Sequence, residues 1–216
     1  MNLGLHDIPL RLIGLIPLIL SLTVHEFAHA WTAYVLGDDT AARQGRMTLN
    51  PIVHIDPIGT LLLPVFVGFG WAKPVPVVPT NFRRNVPMTT GMMLTSVAGP
   101  LSNLMLSSAC AIIIGLCYRF SPDFLGSNPA IDWLLDRTLY LNVGLAIFNM
   151  LPIPPLDGSR MVDFFLPYRW RARWEWLQQY SPMALPVILI YGGSLISGPV
   201  NAVESQLRAL ILHIAT

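Results

Sequence analysis

The chain has 216 residues, 53% of them hydrophobic and only 12% charged, with a formal net charge of +1. Mean hydropathy is +0.56, whereas a typical soluble domain is about 25% charged. The composition points to a multi-pass membrane protein, and the near-neutral charge excludes a nucleic-acid-binding role.

The first apolar segment runs from Leu10 to Leu36 and is long enough to span a bilayer with tilt. No basic n-region or small-residue cleavage site precedes it, so a cleavable signal peptide is not expected. Inside it lies Val24-His25-Glu26-Phe27-Ala28-His29. His-Glu-x-x-His places two imidazoles one helical turn apart on one face, with a carboxylate between them. That is the pattern of two zinc ligands and a general base for the water on the metal. Intramembrane ionisable residues are costly to bury, and three within five positions point to function rather than packing.

Residues 42–49 read as polar and partly extended. Asp56 is expected to cap a short helix starting at Pro57. The apolar segment Ile58–Phe69 is short and contains Pro64, so a re-entrant or partly inserted course is expected. Gly70-Trp71-Ala72-Lys73-Pro74-Val75-Pro76-Val77-Val78-Pro79 alternates proline with valine. Such a run cannot be helical and reads as an edge strand or extended loop beside a water-accessible cavity.

Gly91–Tyr118 and Ile131–Leu151 read as two further spans. Cys110 and Cys117, seven apart on one of them, read as small core residues rather than a disulfide. Gly99-Pro100 is read as a kink. After Leu151, prolines 152, 154 and 155 break the helix and would turn Asp157 inward, with Gly158 allowing close backbone packing. A catalytic zinc needs a third protein ligand, and Asp157 is the strongest candidate. Trp170, Trp174 and Trp176, set among Arg169, Arg171 and Arg173, read as an amphipathic interfacial stretch. Met183–Ser197 and Val200–Ile214 are expected to form one or two helices, broken at Gly198-Pro199. No internal repeat is present.

If Ile58–Phe69 does not cross, one side of the membrane carries Arg43, Arg46, Lys73, Arg83, Arg84, Arg160 and the arginines of 169–173. The other carries Arg11, Arg119 and Arg137. The positive-inside rule makes the first side cytoplasmic. His29 then lies roughly 10 Å below that surface, at 1.5 Å per helical residue. The expected location is the cytoplasmic (inner) membrane, with the site opening toward the cytoplasm.

The chain resembles the site-2 protease family (peptidase family M50) of intramembrane zinc metalloproteases. His25-Glu26-x-x-His29 matches its first motif, and Asn149-x-x-Pro152-x-x-Pro155-Leu156-Asp157-Gly158 its second. The likeness continues through Asn50-Pro51-x-x-His54-x-Asp56-Pro57-x-Gly59-Thr60, Gly70-Trp71-Ala72-Lys73-Pro74-Val75 and Ala98-Gly99-Pro100-x-x-Asn103, covering roughly residues 10–165. The resemblance implies one Zn²⁺ per chain on His25, His29 and Asp157, with Glu26 activating water. It implies an all-α polytopic fold with a core of three transmembrane helices. A membrane-associated β-rich or re-entrant element at residues 43–50 and 70–78 would receive an extended substrate by strand addition. Residues 1–216 are expected to form one membrane-embedded protease domain, with its core at about 10–165 and C-terminal amphipathic and apolar helices at about 166–214. The form expected is a compact one, without a PDZ or CBS domain.

The developing oxyanion needs a donor besides the metal. Candidates are His54, Asn103 and Asn149. His54 is read equally as a histidine that pins its loop, and Asn103 and Asn142 as residues that join helices. The expected partners are membrane lipid, a substrate protein with a transmembrane helix, and a separate regulatory or substrate-presenting protein. Two rival readings are a membrane metal transporter, with His25, His29, Asp157 and His54 as a transit site, and an inactive scaffold. Glu26 beside the metal speaks against both.

Overall fold

Residues 8–180 and 193–216 are described by the computed structural model. The long apolar run becomes α1, Ile8–Leu36. Pro17 removes one backbone donor within it, and the Ser21 hydroxyl donates to the Pro17 carbonyl at 2.6 Å. The helix stops at Gly37, whose φ of +115° lies in the left-handed region that glycine enters without penalty.

Asp38 follows at once and is buried. It accepts hydrogen bonds from the Thr40 N–H and hydroxyl, the Val78 N–H at 2.6 Å and the Asn81 amide at 3.1 Å. This one carboxylate ties the end of α1, the short helix α2 (Thr40–Arg43) and the end of the proline-rich segment together.

Between α1 and the next long helix the chain makes a compact detour. Asn50 caps a 3₁₀ turn at Pro51–His54, and the Asp56 carboxylate accepts from the Ile58 and Gly59 N–H groups, capping as expected. A π-type turn at Pro57–Leu62 runs into α3 (Leu63–Phe66). The chain reverses at Gly68, φ +80°. Trp71 then returns beside the start of the detour: its N–H donates to the Gly59 carbonyl at 3.0 Å, and its carbonyl accepts from the Thr60 hydroxyl at 2.7 Å. At Gly59 a Cβ would collide with the Trp71 indole.

Residues 70–78 are extended but form no ladder, and among the described residues there is no β-strand at all, at 43–50 or elsewhere. This corrects the expected β-rich element. Prolines 74, 76 and 79 cannot donate. The N–H groups of Trp71, Lys73, Val75 and Val78 go singly to Gly59, His54, Glu26 and Asp38 instead of to a neighbouring strand.

The remaining architecture is helical: α4 (Met88–Phe120), α5 (Pro122–Ser127), α6 (Pro129–Asn149), α7 (Gly158–Phe165), residues 171–180 (α8) and α9 (Gly193–Ala215). α4 is central and packs against α1, α6, α7 and α9. Its buried face is made of small residues, including Gly91, Ser96, Gly99, Ser107 and Ala111, which let neighbouring backbones approach closely. The largest core unites Cys110, Ala111, Ile114, Leu125, Leu139, Val143 and Leu207. Both cysteines are free, as expected.

Among the described residues, two helices are long and apolar enough to cross a membrane, over Arg11–Leu36 and Met88–Phe120. α6, read from the sequence as a span from Ile131, carries Asp132, Asp136 and Arg137 in its first half and falls short of that measure. The expected break at Gly198-Pro199 is absent: α9 runs straight through Pro199. Val200, Val203, Leu207, Leu210 and Ile211 pack it against the core, and that contact holds the helix across one lost hydrogen bond. Most of the segment read as a helix at 183–197 lies outside the described residues. Trp174 departs from the interfacial stretch read around it, since its indole N–H donates to Asp163 on α7. Trp170 and Trp176 are exposed as expected.

Candidate metal centre

One turn of α1 brings the His25 and His29 rings edge to face, with centroids 4.5 Å apart and their Nε2 atoms 3.0 Å apart. The third group arrives from the other end of the chain. After α6 the backbone passes through a turn that includes a cis peptide at Pro154–Pro155, and Asp157 stands at the N-terminus of α7. Asp157 Oδ2 is 3.1 Å from His25 Nε2 and 3.4 Å from His29 Nε2. Gly158 makes this approach possible. A Cβ there would overlap the Met150 and Leu151 carbonyl oxygens, against which the turn is folded.

These separations fit a zinc ion. Nitrogen and oxygen ligands about 2.0–2.2 Å from a tetrahedral zinc stand roughly 3.3–3.5 Å from one another. Among the described residues these three are the single cluster of His, Cys, Asp or Glu that converges in this way.

The histidine tautomers are set from behind. His29 Nδ1 faces the Thr95 carbonyl at 2.7 Å, which can only accept, so Nδ1 carries the proton and Nε2 keeps its lone pair. His25 Nδ1 donates to Asn103 Oδ1 at 2.6 Å. The Asn103 amide is in turn oriented by Asn142: Asn103 Nδ2 donates to Asn142 Oδ1 at 2.7 Å. Asn142 Nδ2 donates to the Ser21 hydroxyl at 2.8 Å and the Thr138 carbonyl at 2.7 Å. A buried chain through α1, α4 and α6 therefore presents the His25 lone pair toward Asp157. Such second partners fix ring orientation and ligand basicity.

Thr95, Gly99 and Asn103 follow one another at four-residue spacing on α4 and form the bed on which both imidazoles lie. A Cβ at Gly99 would stand 2.5 Å from His29 Nε2 and 2.6 Å from His25 Cε1. The reading of Gly99 as part of a kink missed this packing role, as it missed Thr95. The i, i+4, i+8 pattern of small and polar residues opposite His-Glu-x-x-His was the available signal.

Glu26, buried beside the two histidines, accepts the Val75 N–H at 2.8 Å through Oε2. The extended segment is thus fastened to the carboxylate. The remaining residues singled out from the sequence are placed as follows. Asn103 is fully buried behind His25, with both amide atoms engaged, which corrects the idea that it faces a substrate. Asn142 joins helices as expected. His54 pins its loop: Nε2 donates to the Thr48 carbonyl at 2.9 Å, and its own carbonyl accepts from Lys73. Its Nδ1 is buried without a partner. Asn149 is the last residue of α6, half-buried, and its side chain makes no hydrogen bond among the described residues.

The chain is similar to "Putative zinc metalloprotease YwhC" of Bacillus subtilis, with 42% identity over 176 residues, covering 81% of this chain and 78% of the relative. The chain belongs to this zinc metalloprotease family. It is also similar to "Putative zinc metalloprotease Rip2" of Mycolicibacterium smegmatis, with 33% identity over 69% of this chain and 58% of the relative. Rip2 of Mycobacterium tuberculosis is 32% identical over 67% of this chain and 54% of its own length. The chain thus spans little more than half of the Rip2 proteins. No protein-family model matches the chain, and no solved structure matches it. In this metalloprotease the donor set and the family agree on zinc.

Proposed function

We propose that this metalloprotease is an intramembrane endopeptidase of the site-2 protease type (peptidase family M50), cleaving peptide bonds in or near the transmembrane helices of membrane proteins. The observation that carries the reading is the convergence of His25, His29 and Asp157, with both Nε2 lone pairs facing the carboxylate and Glu26 alongside. A zinc held by these three residues would supply a Lewis acid that makes water available as a nucleophile near neutral pH. Glu26 takes the proton of the attacking water and hands it to the leaving amide nitrogen. Asn103 and the Thr95 carbonyl hold the imidazoles in place throughout. Asn149, at the mouth of the Asp157 turn, is the residue of the three oxyanion candidates whose amide remains uncommitted.

The membrane setting rests on what α1 and α4 expose. Leu12, Ile13 and Ile16 on α1 and Leu101, Met105 and Ile113 on α4 face outward, apolar and unpartnered. Surfaces of that kind seek lipid. α6 is proposed as the third span, packed on α4 with its acidic first half at the membrane edge. The detour through α3 returns to the side it started from, which supports a re-entrant course. The cytoplasm then receives the Arg-rich side and the opening of the site. Residues 70–78 supply extended backbone beside Glu26, against which an unwound substrate lies. Substrate choice rests on helix instability, prior trimming or a presenting partner.

The test compares wild type with Glu26→Gln, both purified in detergent. Bound zinc is quantified, and each protein is incubated with a panel of unstable transmembrane helices. About one zinc in both, with cleavage by wild type alone, establishes the protease. Zinc in both with metal transport in proteoliposomes unaffected by Glu26→Gln, and no cleavage, moves the assignment to transport.

A further inference from the structure

Arg46 is an anomaly of charge. It is 9% exposed, and among the described residues it makes no ion pair. A guanidinium shut away from water without a carboxylate is costly unless its charge is answered in another way. Its Nη2 donates to two successive carbonyls of the extended segment, Lys73 at 2.7 Å and Pro74 at 3.3 Å, while Nε finds no partner. The carbonyl of Pro74 belongs to the same peptide group as the N–H of Val75, and that N–H donates to Glu26 Oε2 at 2.8 Å. Glu26 is itself 8% exposed and in no direct ion pair among the described residues. The two buried charges are therefore joined through one peptide.

We propose that Arg46 is a positioning residue for the general base, acting through the Pro74–Val75 peptide. A trans peptide points its C=O and N–H in opposite directions. Arg46 grips one edge and Glu26 the other, so the plane cannot turn. Positive charge at the oxygen polarises the group and strengthens the N–H as a donor. The Glu26 carboxylate is thereby held at Oε2, and its second oxygen is left for water. The sequence around the bond suits this use. Pro74 and Pro76 carry no N–H, so Val75 presents the sole backbone donor of its triplet, and nothing adjacent can replace it. The 70–78 segment thus carries the alignment of the base, and whatever engages that segment acts on Glu26 as well.

This inference rests on the reading of Glu26 as the base, and its test separates the two. Arg46→Met and Arg46→Lys are purified with zinc bound, beside Arg43→Gln as a surface control. Expected for Arg46→Met is a kcat at least about tenfold below wild type, with KM and zinc content unchanged, since a misdirected base lowers turnover rather than binding. Arg46→Lys, which keeps the charge, recovers part of the loss, and Arg43→Gln loses nothing. Residue-resolved amide exchange gives a readout independent of cleavage: the Val75 N–H exchanges at least about tenfold faster in Arg46→Met, while the Trp71 N–H, held by Gly59, does not change. A wild-type kcat in Arg46→Met, or a Val75 amide as protected as before, overturns the proposal. Should Arg46→Met fail to fold, Val75→Pro removes the same donor from backbone already extended between prolines, and a normal kcat there overturns the proposal equally. If wild type cleaves nothing, the protease reading falls, and amide exchange alone decides whether Arg46 holds the peptide.

Discussion

Replacing Gly99 by alanine sets two magnitudes against each other. In a helix interior the change is worth up to about 1 kcal/mol in favour of alanine. At this position, however, the new Cβ would stand 2.5 Å from His29 Cε1 and Nε2 and 2.6 Å from His25 Cε1, where ordinary contact begins at 3.4 Å. Relief requires both imidazoles, or the whole of α4, to move by about 1 Å. Metal–ligand distances tolerate only about 0.2 Å. Gly99→Ala is therefore expected to fold but to bind zinc at least about 10–100-fold more weakly, the loss usual when ligand orientation is disturbed. Chelator competition measures the affinity, and thermal unfolding in detergent, with and without zinc, measures the fold. Gly144→Ala on α6 is the control: nothing lies within 4 Å of its Cβ, so zinc binding stays unchanged. Wild-type zinc affinity in Gly99→Ala, with Tm raised by helix propensity alone, would refute the packing of the imidazoles on Gly99.

Asn142→Ala leaves Asn103 Nδ2 buried without its partner, a loss of about 1–3 kcal/mol in stability. With the Asn103 amide free to turn, zinc affinity is expected to fall about tenfold or more, and an unchanged chelator titration counts against the tautomer relay. Gly158→Ala pushes a Cβ into the carbonyls of Met150 and Leu151, backbone that cannot swing aside. It should lower Tm and zinc content together, and a variant with normal zinc content would show that the turn does not hold Asp157. Burial alone would raise the Asp38 carboxyl, but hydrogen bonds from Thr40, the Val78 N–H and Asn81 outweigh it and hold the group below its ordinary 3.8. The folded state thus prefers the ionised form. Its stabilisation is fully present above about pH 4 and is lost as pH falls further, toward the lowered folded value. The Tm advantage of wild type over Asp38→Asn should shrink on acidification below that point, and a constant difference from pH 6 to 3 would show that Asp38 is not the titrating tie.

What depends on local period and composition is legible along the chain. A 3.6-residue repeat is enough to set His25 and His29 on one face with Glu26 beside them. An Asp before Pro57 is enough to cap the turn that follows. Apolar runs mark α1 and α4, and the pair of motifs singles out His25, His29 and Asp157, the three groups that converge in the fold. Tertiary structure alone decided the rest, because the rest is carried by groups that every residue possesses or by residues with no pattern of their own. The backbone N–H of Val75 holds Glu26, and the carbonyl of Thr95 sets the His29 tautomer. No side-chain motif announces a main-chain donor. Residues 70–78 have the look of a strand, yet a strand exists only if a neighbour supplies a ladder, and here each donor found a separate loop or carboxylate. Pro199 breaks a helix in isolation, but packing on α4 and α6 outweighs one missing hydrogen bond. Arg46 reads as a surface charge along the chain. Only the folded backbone places it, buried, across one peptide from the Glu26 carboxylate.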